Sequence, residues 1–231
     1  MTSIEIVSPA FFVFAVIVLA GYHIFPLRYR LVWLLLASYF FYATWGWAHL
    51  IVLLVFTMLN YWLAILLEKS RSKHLFKFAI ASNALSFLLL KALVGPYGLN
   101  ILRPFVDVSK AGELTIFLLP IGFSFYILQN ISYLVDVYRE QIPAEQNLIA
   151  FALYLAYFPK MIAGPIERAK SFIPQLKQNK TITSVEIEKG IYLILLGLFR
   201  KIVIADRLAL FLPEKIFSSP ELYTFPERIL W

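Results

Sequence analysis

The stretch YFPKMIAGPIERAKSFIPQL, residues 157–176, breaks an otherwise apolar part of the chain. The run before it, LIAFALYLAYF at 148–158, is typical of a helix in a bilayer or in a protein core. The break contains two prolines, a glycine and a cation, namely Pro159, Lys160, Gly164 and Pro165. Because non-helical backbone at membrane depth must be covered by protein or by a water-filled cavity, the break predicts a site rather than a span.

The composition indicates an integral membrane protein. The chain is 61% hydrophobic and 15% charged, with a mean hydropathy of +0.76. Soluble domains average about 45–50% apolar and about 25% charged residues, so much of this surface must face lipid. The net charge of +7 then reflects orientation and contact with anionic lipid headgroups rather than nucleic acid. The absence of cysteine excludes disulfides and thiolate metal sites.

The apolar runs predict an all-α, polytopic transmembrane bundle. A span needs about 20 mainly apolar residues. The predicted spans are about 7–25, 31–47, 49–67, 75–94 and 114–138. The shorter run at about 148–163 is predicted to be re-entrant or a half-helix buried among other helices, and about 166–185 a cytoplasmic surface segment. The apolar segment at about 190–212 is compatible with one helix or with two.

The distribution of Lys and Arg predicts the orientation. With the N-terminus outside, the cytoplasmic side receives seven basic residues, namely Arg28, Arg30, Lys69, Arg71, Lys73, Lys77 and Arg139. The opposite side receives two, Arg103 and Lys110. This bias follows the positive-inside rule. No basic residue precedes the first apolar run, so the N-terminus is not expected to be a cleaved signal peptide.

Polar residues within the fifth predicted span are the first site candidates. Gln129, Ser132 and Asp136 recur at intervals of three and four residues, hence on one helical face. Polar groups inside spans are costly and suggest function, whereas the alternative is hydrogen bonding to neighbouring helices. For Asp136, beside Arg139, a structural ion pair is the favoured interpretation.

The break itself supplies the other candidates. Lys160 is expected either to neutralise an anionic group or to snorkel to the surface. Arg168 closes a G-P-I-E-R turn, and its guanidinium suits bidentate contacts to phosphate or carboxylate, with Glu167 as a group that could hold it in place. His23, His49 and His74 lie outside the break and are interpreted as interfacial. The sequence shows no metal-ligand cluster.

Three stretches together resemble one family. They are LPIGFSFYILQNISYLVDVYR at 119–139, FPKMIAGPIERAKSFIPQL at 158–176 and GLFRKIVIADRLA at 197–209. Their order and spacing, across about 114–212, resemble the membrane-bound O-acyltransferase (MBOAT) family in its bacterial alginate O-acetyltransferase-like branch. The resemblance implies a ring of helices around a central funnel, with residues 1–231 as the N-terminal part of a single membrane domain in the bacterial inner membrane.

The resemblance also implies a reaction. Members of the family transfer an acyl group from a cytoplasmic thioester donor, acetyl-CoA or an acyl carrier protein, to a hydroxyl of an acceptor. For this branch the expected acceptor is an exported polysaccharide such as alginate or a cell-wall glycan, and extracytoplasmic acetylation proteins are expected partners. The family's general base is a histidine that we expect beyond Trp231, so the isolated chain is predicted to be inactive. No bound cofactor or metal is expected.

By the same resemblance, Pro159, Gly164 and Pro165 would shape an element beside the donor entrance, with Lys160 and Arg168 on its cytoplasmic rim. Two other classes of function remain open. A transporter also uses broken helices, although the sequence has no internal repeat. A noncatalytic scaffold of an acetylation or secretion complex would lack the buried histidine downstream.

Overall fold

The computed structural model describes residues 8–94, 122–161, 164–178 and 183–210. These residues form helices and connecting loops, with no strand among them, so the all-α class is confirmed for the described parts. The helices are α1 (Pro9–Ile24), α2 (Leu27–Ala43), α3 (Trp47–Ser70), α4 (Lys73–Val94), α5 (Phe123–Tyr138), α6 (Leu148–Ala156), α7 (Ala169–Lys177), α8 (Ser184–Phe199) and α9 (Asp206–Ala209). A six-residue π-helical segment, Arg200–Ala205, joins α8 to α9.

Local sequence explains where the first helices begin and end. The Ser8 hydroxyl accepts a hydrogen bond from the Phe11 N–H at 3.3 Å, and Pro9 occupies the first turn, where its missing N–H costs nothing. Gly46 precedes α3 with a φ of +147°, a conformation that favours glycine. Arg71, in the left-handed region, ends α3 by donating its N–H to the Leu67 carbonyl at 2.9 Å. Short connections of this kind place consecutive helices side by side.

Helix lengths bear on the predicted spans. In the described ranges, α3 alone, with 24 residues, is long and apolar enough to cross a membrane, and α1 is a shorter apolar helix. The helices α1, α2 and α4 lie at the predicted runs 7–25, 31–47 and 75–94, but their crossing of a bilayer stays a prediction. The first part of the fifth predicted span, 114–121, lies outside the described residues.

The chain divides into two compact units, residues 1–179 and 180–231. In the first unit, α6 packs against α2, α3, α5 and α7. Every residue from Ala150 to Ala156 is at most 3% exposed, so α6 is buried on all sides. Its nine residues are about 14 Å long, too short for a hydrocarbon layer of about 30 Å. The structure therefore agrees with a half-helix buried among other helices.

A reciprocal amide pair joins α3 to α4. Asn83 donates to Asn60 Oδ1 at 2.8 Å and Asn60 donates to Asn83 Oδ1 at 3.3 Å. Each amide also donates to a carbonyl of its own helix, Phe56 or Ala79. Both side chains are fully buried, so this hydrogen bonding offsets the cost of removing the amides from solvent.

The predicted surface segment at 166–185 is partly buried. It contains α7, whose Phe172 and Ile173 are 8% and 7% exposed and belong to the main apolar core. The apolar side chains of α7 therefore face the bundle, in contrast to the surface position predicted for the whole segment. Residues 179–182 of this segment lie outside the described residues.

The second unit answers the question left open for the segment at 190–212. A capping box between Thr183 and Glu186 begins α8, and the backbone stays helical through the π segment to Ala209. The described part of the segment is therefore one continuous helix. Its apolar side chains are exposed, with Leu193 at 64% and Ile204 at 47%.

Candidate functional site

The break after α6 is an ordered turn in its described part. The Lys160 N–H donates to the Tyr157 carbonyl at 3.1 Å, and the Gly164 N–H donates to the Lys160 carbonyl at 2.9 Å. Phe158 is 5% exposed and packs in a cluster with Val18 and Phe41, which anchors the turn against α1 and α2. The turn is thus held by its own hydrogen bonds and by a buried aromatic ring.

Gly164 brings two segments of backbone into close contact. A Cβ at this position would lie 2.5 Å from the Lys160 Cα and 2.6 Å from its carbonyl oxygen. Since the obstacle is backbone, no rotation of a side chain relieves it. Pro159 and Pro165, the other two residues predicted to shape the break, are exposed on either side of this contact.

Lys160 lies in an aromatic and acidic environment. Its side chain is 9% exposed, and its Nζ lies 3.4 Å from Glu167 Oε2. The same Nζ lies 3.5 Å from the ring centroid of Phe172 and 4.9 Å from that of Tyr154, both cation–π distances. Snorkelling of Lys160 to the surface is therefore wrong, because the ammonium points into the protein and is neutralised there.

Gln129 connects α5 to this cluster. Its Nε2 donates to the Tyr154 carbonyl at 2.7 Å, and the Tyr154 hydroxyl donates to the Glu167 carbonyl at 3.1 Å. The hydrogen bonds thus lead from α5 through α6 to the segment that carries the partner of Lys160. This geometry gives Gln129 the role of joining helices, the alternative considered from the sequence.

The cleft beside the cluster is small. It is lined by Tyr126, Gln129, Lys160, Gly164 and Pro165, among others, and holds about 10 Å³. A single water molecule needs about 10–15 Å³ on this measure. The cavity predicted beside the break is therefore present, but in this arrangement it is too small to admit a substrate.

The other predicted residues lie apart from the cluster. Ser132 is half-buried on α5, and Arg168 is exposed at the N-cap of α7. Glu167 forms an ion pair with Lys160 rather than with Arg168. Asp136 is 5% exposed, its Oδ2 has no hydrogen-bond partner among the described residues, and no ion pair joins it to Arg139 there. In the described ranges, no group of three or more histidine or acidic residues could hold a metal.

Sequence reasoning missed several polar residues of the interior. Tyr154, whose ring lies beside the Lys160 ammonium, was taken as part of an apolar run. Asn130 is fully buried, and neither its amide nitrogen nor its amide oxygen has a partner among the described residues. His49, interpreted as interfacial, is 3% exposed beside Tyr42. The signals available in the sequence were the hydroxyl of Tyr154 and the amide of Asn130, two polar groups within apolar runs.

Comparison with known proteins gives clear relatives. A probable alginate O-acetylase of Pseudomonas fluorescens is 38% identical over 202 residues, which are 86% of this chain and 38% of that protein. The chain is a homologue of the alginate O-acetylases. The probable alginate O-acetylase of Pseudomonas aeruginosa is 36% identical over 86% of the chain and 39% of its own length. The resemblance to the alginate O-acetyltransferase branch is confirmed.

The homology extends to a second kind of acetyltransferase. A peptidoglycan O-acetyltransferase of Helicobacter pylori is 30% identical over 78% of the chain and 39% of its own length. This homologue of the alginate O-acetylases thus spans about two fifths of the length of the curated relatives that it matches. No family model and no solved structure matches it.

Proposed function

We propose that the chain is part of a membrane O-acetyltransferase that acetylates hydroxyl groups of an exported polysaccharide. The observation that carries the proposal is the similarity over 86% of the chain to proteins named alginate O-acetylases. A relative named for peptidoglycan supports a glycan acceptor more generally. The acetyl donor in this proposal is a thioester, acetyl-CoA or an acyl carrier protein, and the general base is a histidine, as the family resemblance implies.

The proposed location is the bacterial inner membrane, with several spans and the N-terminus outside. Support comes from the 61% hydrophobic composition and from the exposed apolar side chains of several helices. The helix α3 has the length of a span, and the excess of Lys and Arg on one predicted side fits the positive-inside rule. Membrane lipid and extracytoplasmic acetylation proteins are the partners in this proposal.

The proposal is tested by deleting the intact gene that contains this chain from its host. The expected result is loss of base-labile acetyl groups from the exported polysaccharide, measured by acetate release and by NMR, and their return when the gene is restored. A polysaccharide with unchanged acetyl content in the deletion strain contradicts the proposal. If transport of an unmodified polysaccharide or of another solute stops instead, the transporter class is favoured.

Arg168 is proposed to contact the thioester donor, because its exposed guanidinium at the N-cap of α7 suits an anionic group. In the intact enzyme, Arg168→Ala is expected to raise the KM for the donor about tenfold to 150-fold, because one lost hydrogen bond to a charged group is worth about 1.5–3 kcal/mol, with the melting temperature unchanged. Steady-state kinetics with varied donor measures this. Arg28→Ala, which removes an exposed arginine from the same predicted side, serves as the control. An unchanged donor KM in Arg168→Ala removes this residue from the site.

A further inference from the structure

A groove of about 410 Å³ lies between α7 and the loop that joins α5 to α6. It is separate from the small cleft beside Lys160, since the two share no lining residue. Its lining includes Ile142, Pro143 and Glu145 from the loop and Lys170, Ile173, Pro174 and Lys177 from α7. Its volume is within the range of about 300–1,000 Å³ typical of ligand sites.

The α7 wall of this groove combines cations with apolar side chains. Lys170, Ile173, Pro174 and Lys177 follow the spacing i, i+3, i+4 and i+7, so they share one face of the helix. The two lysines are about 10 Å apart along the helix axis, with the apolar pair between them. A charged group at one end and a hydrocarbon chain along the middle would both find suitable partners on this wall.

The charges around the groove are not equivalent. Lys177 Nζ lies 2.6 Å from Glu145 Oε2 and 2.8 Å from Glu145 Oε1, so this lysine is neutralised by a carboxylate whose side chain is 8% exposed. Lys170 is exposed at the other end of the wall. The described lining residues therefore carry a net charge of +1, which matches the single negative charge of a phosphodiester.

The groove lies at one identifiable end of the first unit. Ile142 and Pro143 also line a neighbouring cavity with Glu68 and Arg71, at the C-terminal end of α3. Lys69, Arg71 and Arg139 are among the basic residues that the positive-inside rule assigns to the cytoplasmic surface. The groove is thus at the level where anionic lipid headgroups of the inner leaflet would be found.

We propose that this groove binds an anionic phospholipid. The phosphodiester lies near Lys170, and an acyl chain lies along Ile142, Ile173 and Pro174. Basic residues beside an apolar surface at the membrane boundary favour such lipids over zwitterionic ones. The inference rests on the membrane location proposed above, but it does not depend on acetyl transfer.

Native mass spectrometry of the intact protein, released from a nonionic detergent, tests this proposal. Phosphatidylglycerol is expected to bind more tightly than phosphatidylcholine with the same acyl chains. Lys170→Gln is expected to weaken phosphatidylglycerol binding about fivefold, the effect of one lysine at an anionic headgroup. Lys189→Gln, an exposed lysine of α8 with the same change of charge, is expected to leave binding unchanged. Lys177 is unsuitable for this test, because its loss would leave Glu145 without its partner.

Three outcomes would overturn the proposal. Equal binding of the two lipids removes the preference for an anionic headgroup. Equal losses of phosphatidylglycerol binding in Lys170→Gln and Lys189→Gln show a general effect of net charge rather than a specific site. Competition by inorganic phosphate or glycerol 3-phosphate as effective as that by the lipid shows a phosphate site without a lipid. Alkaline carbonate extraction, made on the same membranes, tests the membrane location separately, and acetyl content tests the enzyme.

Discussion

Replacing Gly164 with alanine is expected to lower the free energy of unfolding of the intact protein by about 3 kcal/mol, the upper end for overpacking. The added Cβ would lie 2.5 Å from the Lys160 Cα, a separation that side chains do not tolerate. Because two of the three obstructing atoms, the Lys160 Cα and carbonyl oxygen, belong to backbone and the third is the Lys160 Cβ, the turn between α6 and α7 must open. Its opening also separates Lys160 from Glu167, so the acetyl transfer proposed for the intact protein is expected to fall with stability. Denaturant unfolding in detergent measures the first effect.

A matched glycine elsewhere in the chain provides the control. A Cβ at Gly197, within α8, meets no described atom within 4 Å. Gly197→Ala is therefore expected to leave the free energy of unfolding unchanged or to raise it by up to about 1 kcal/mol through helix propensity. Equal stability of Gly164→Ala and Gly197→Ala would show that the close approach at Gly164 contributes little.

Replacing Glu167 with glutamine is expected to lower the free energy of unfolding of the intact protein by about 2 kcal/mol. The change leaves the ammonium of Lys160, on a side chain that is 9% exposed, without its carboxylate. Removing one partner of a fully buried pair costs about 3–5 kcal/mol, and the value is reduced here because the Glu167 side chain is 37% exposed. The rings of Phe172 and Tyr154 also retain part of the interaction with the cation. Thermal and denaturant unfolding measure the loss.

The order of the variants distinguishes this explanation from simple loss of a contact. Lys160→Met is expected to lower the free energy of unfolding by only about 1 kcal/mol, less than Glu167→Gln does. The reason is that methionine fills the aromatic environment and Glu167 can be hydrated. The double variant is expected to be more stable than Glu167→Gln alone, since no buried charge remains unpaired. If the double variant loses as much unfolding free energy as the two single variants together, the pair is not coupled, and the assignment of Lys160 to a buried ion pair is wrong.

The course of the backbone around the break follows from local sequence. Asn147 caps α6 by accepting hydrogen bonds from the N–H groups of Ile149 and Ala150, and the helix ends before Pro159, which could not continue it. The apolar character of 148–156 predicted a helix in a bilayer or in a protein core, and the structure buries every residue from Ala150 to Ala156. Helix formation and helix ends depend on residues only a few positions away in the sequence. Both features can therefore be recognised without knowledge of the fold.

The chemistry around the break was only partly predictable. The sequence indicated that Lys160 and Gln129 are unusual, but for Lys160 it left open neutralisation of an anionic group and snorkelling to the surface. The snorkelling prediction is wrong because α7 returns over the break and places Phe172 against the ammonium. Whether a charge is exposed or neutralised depends on which distant segment covers it, and a linear pattern does not contain that information.

The helical and apolar class of the chain, the interruption after α6 and the kinship with the alginate O-acetylases could all be recognised from the amino-acid order, because composition, proline positions and motif order are properties of the chain alone. The contacts of the charged groups, in contrast, depend on how the helices pack. Glu145 and Lys177, for example, are 32 positions apart in the sequence, yet Glu145 Oε2 and Lys177 Nζ lie 2.6 Å apart. The free energy of a buried charge depends on its neighbours in space, so the pairs and the groove beside them exist only once α5, α6 and α7 have packed together.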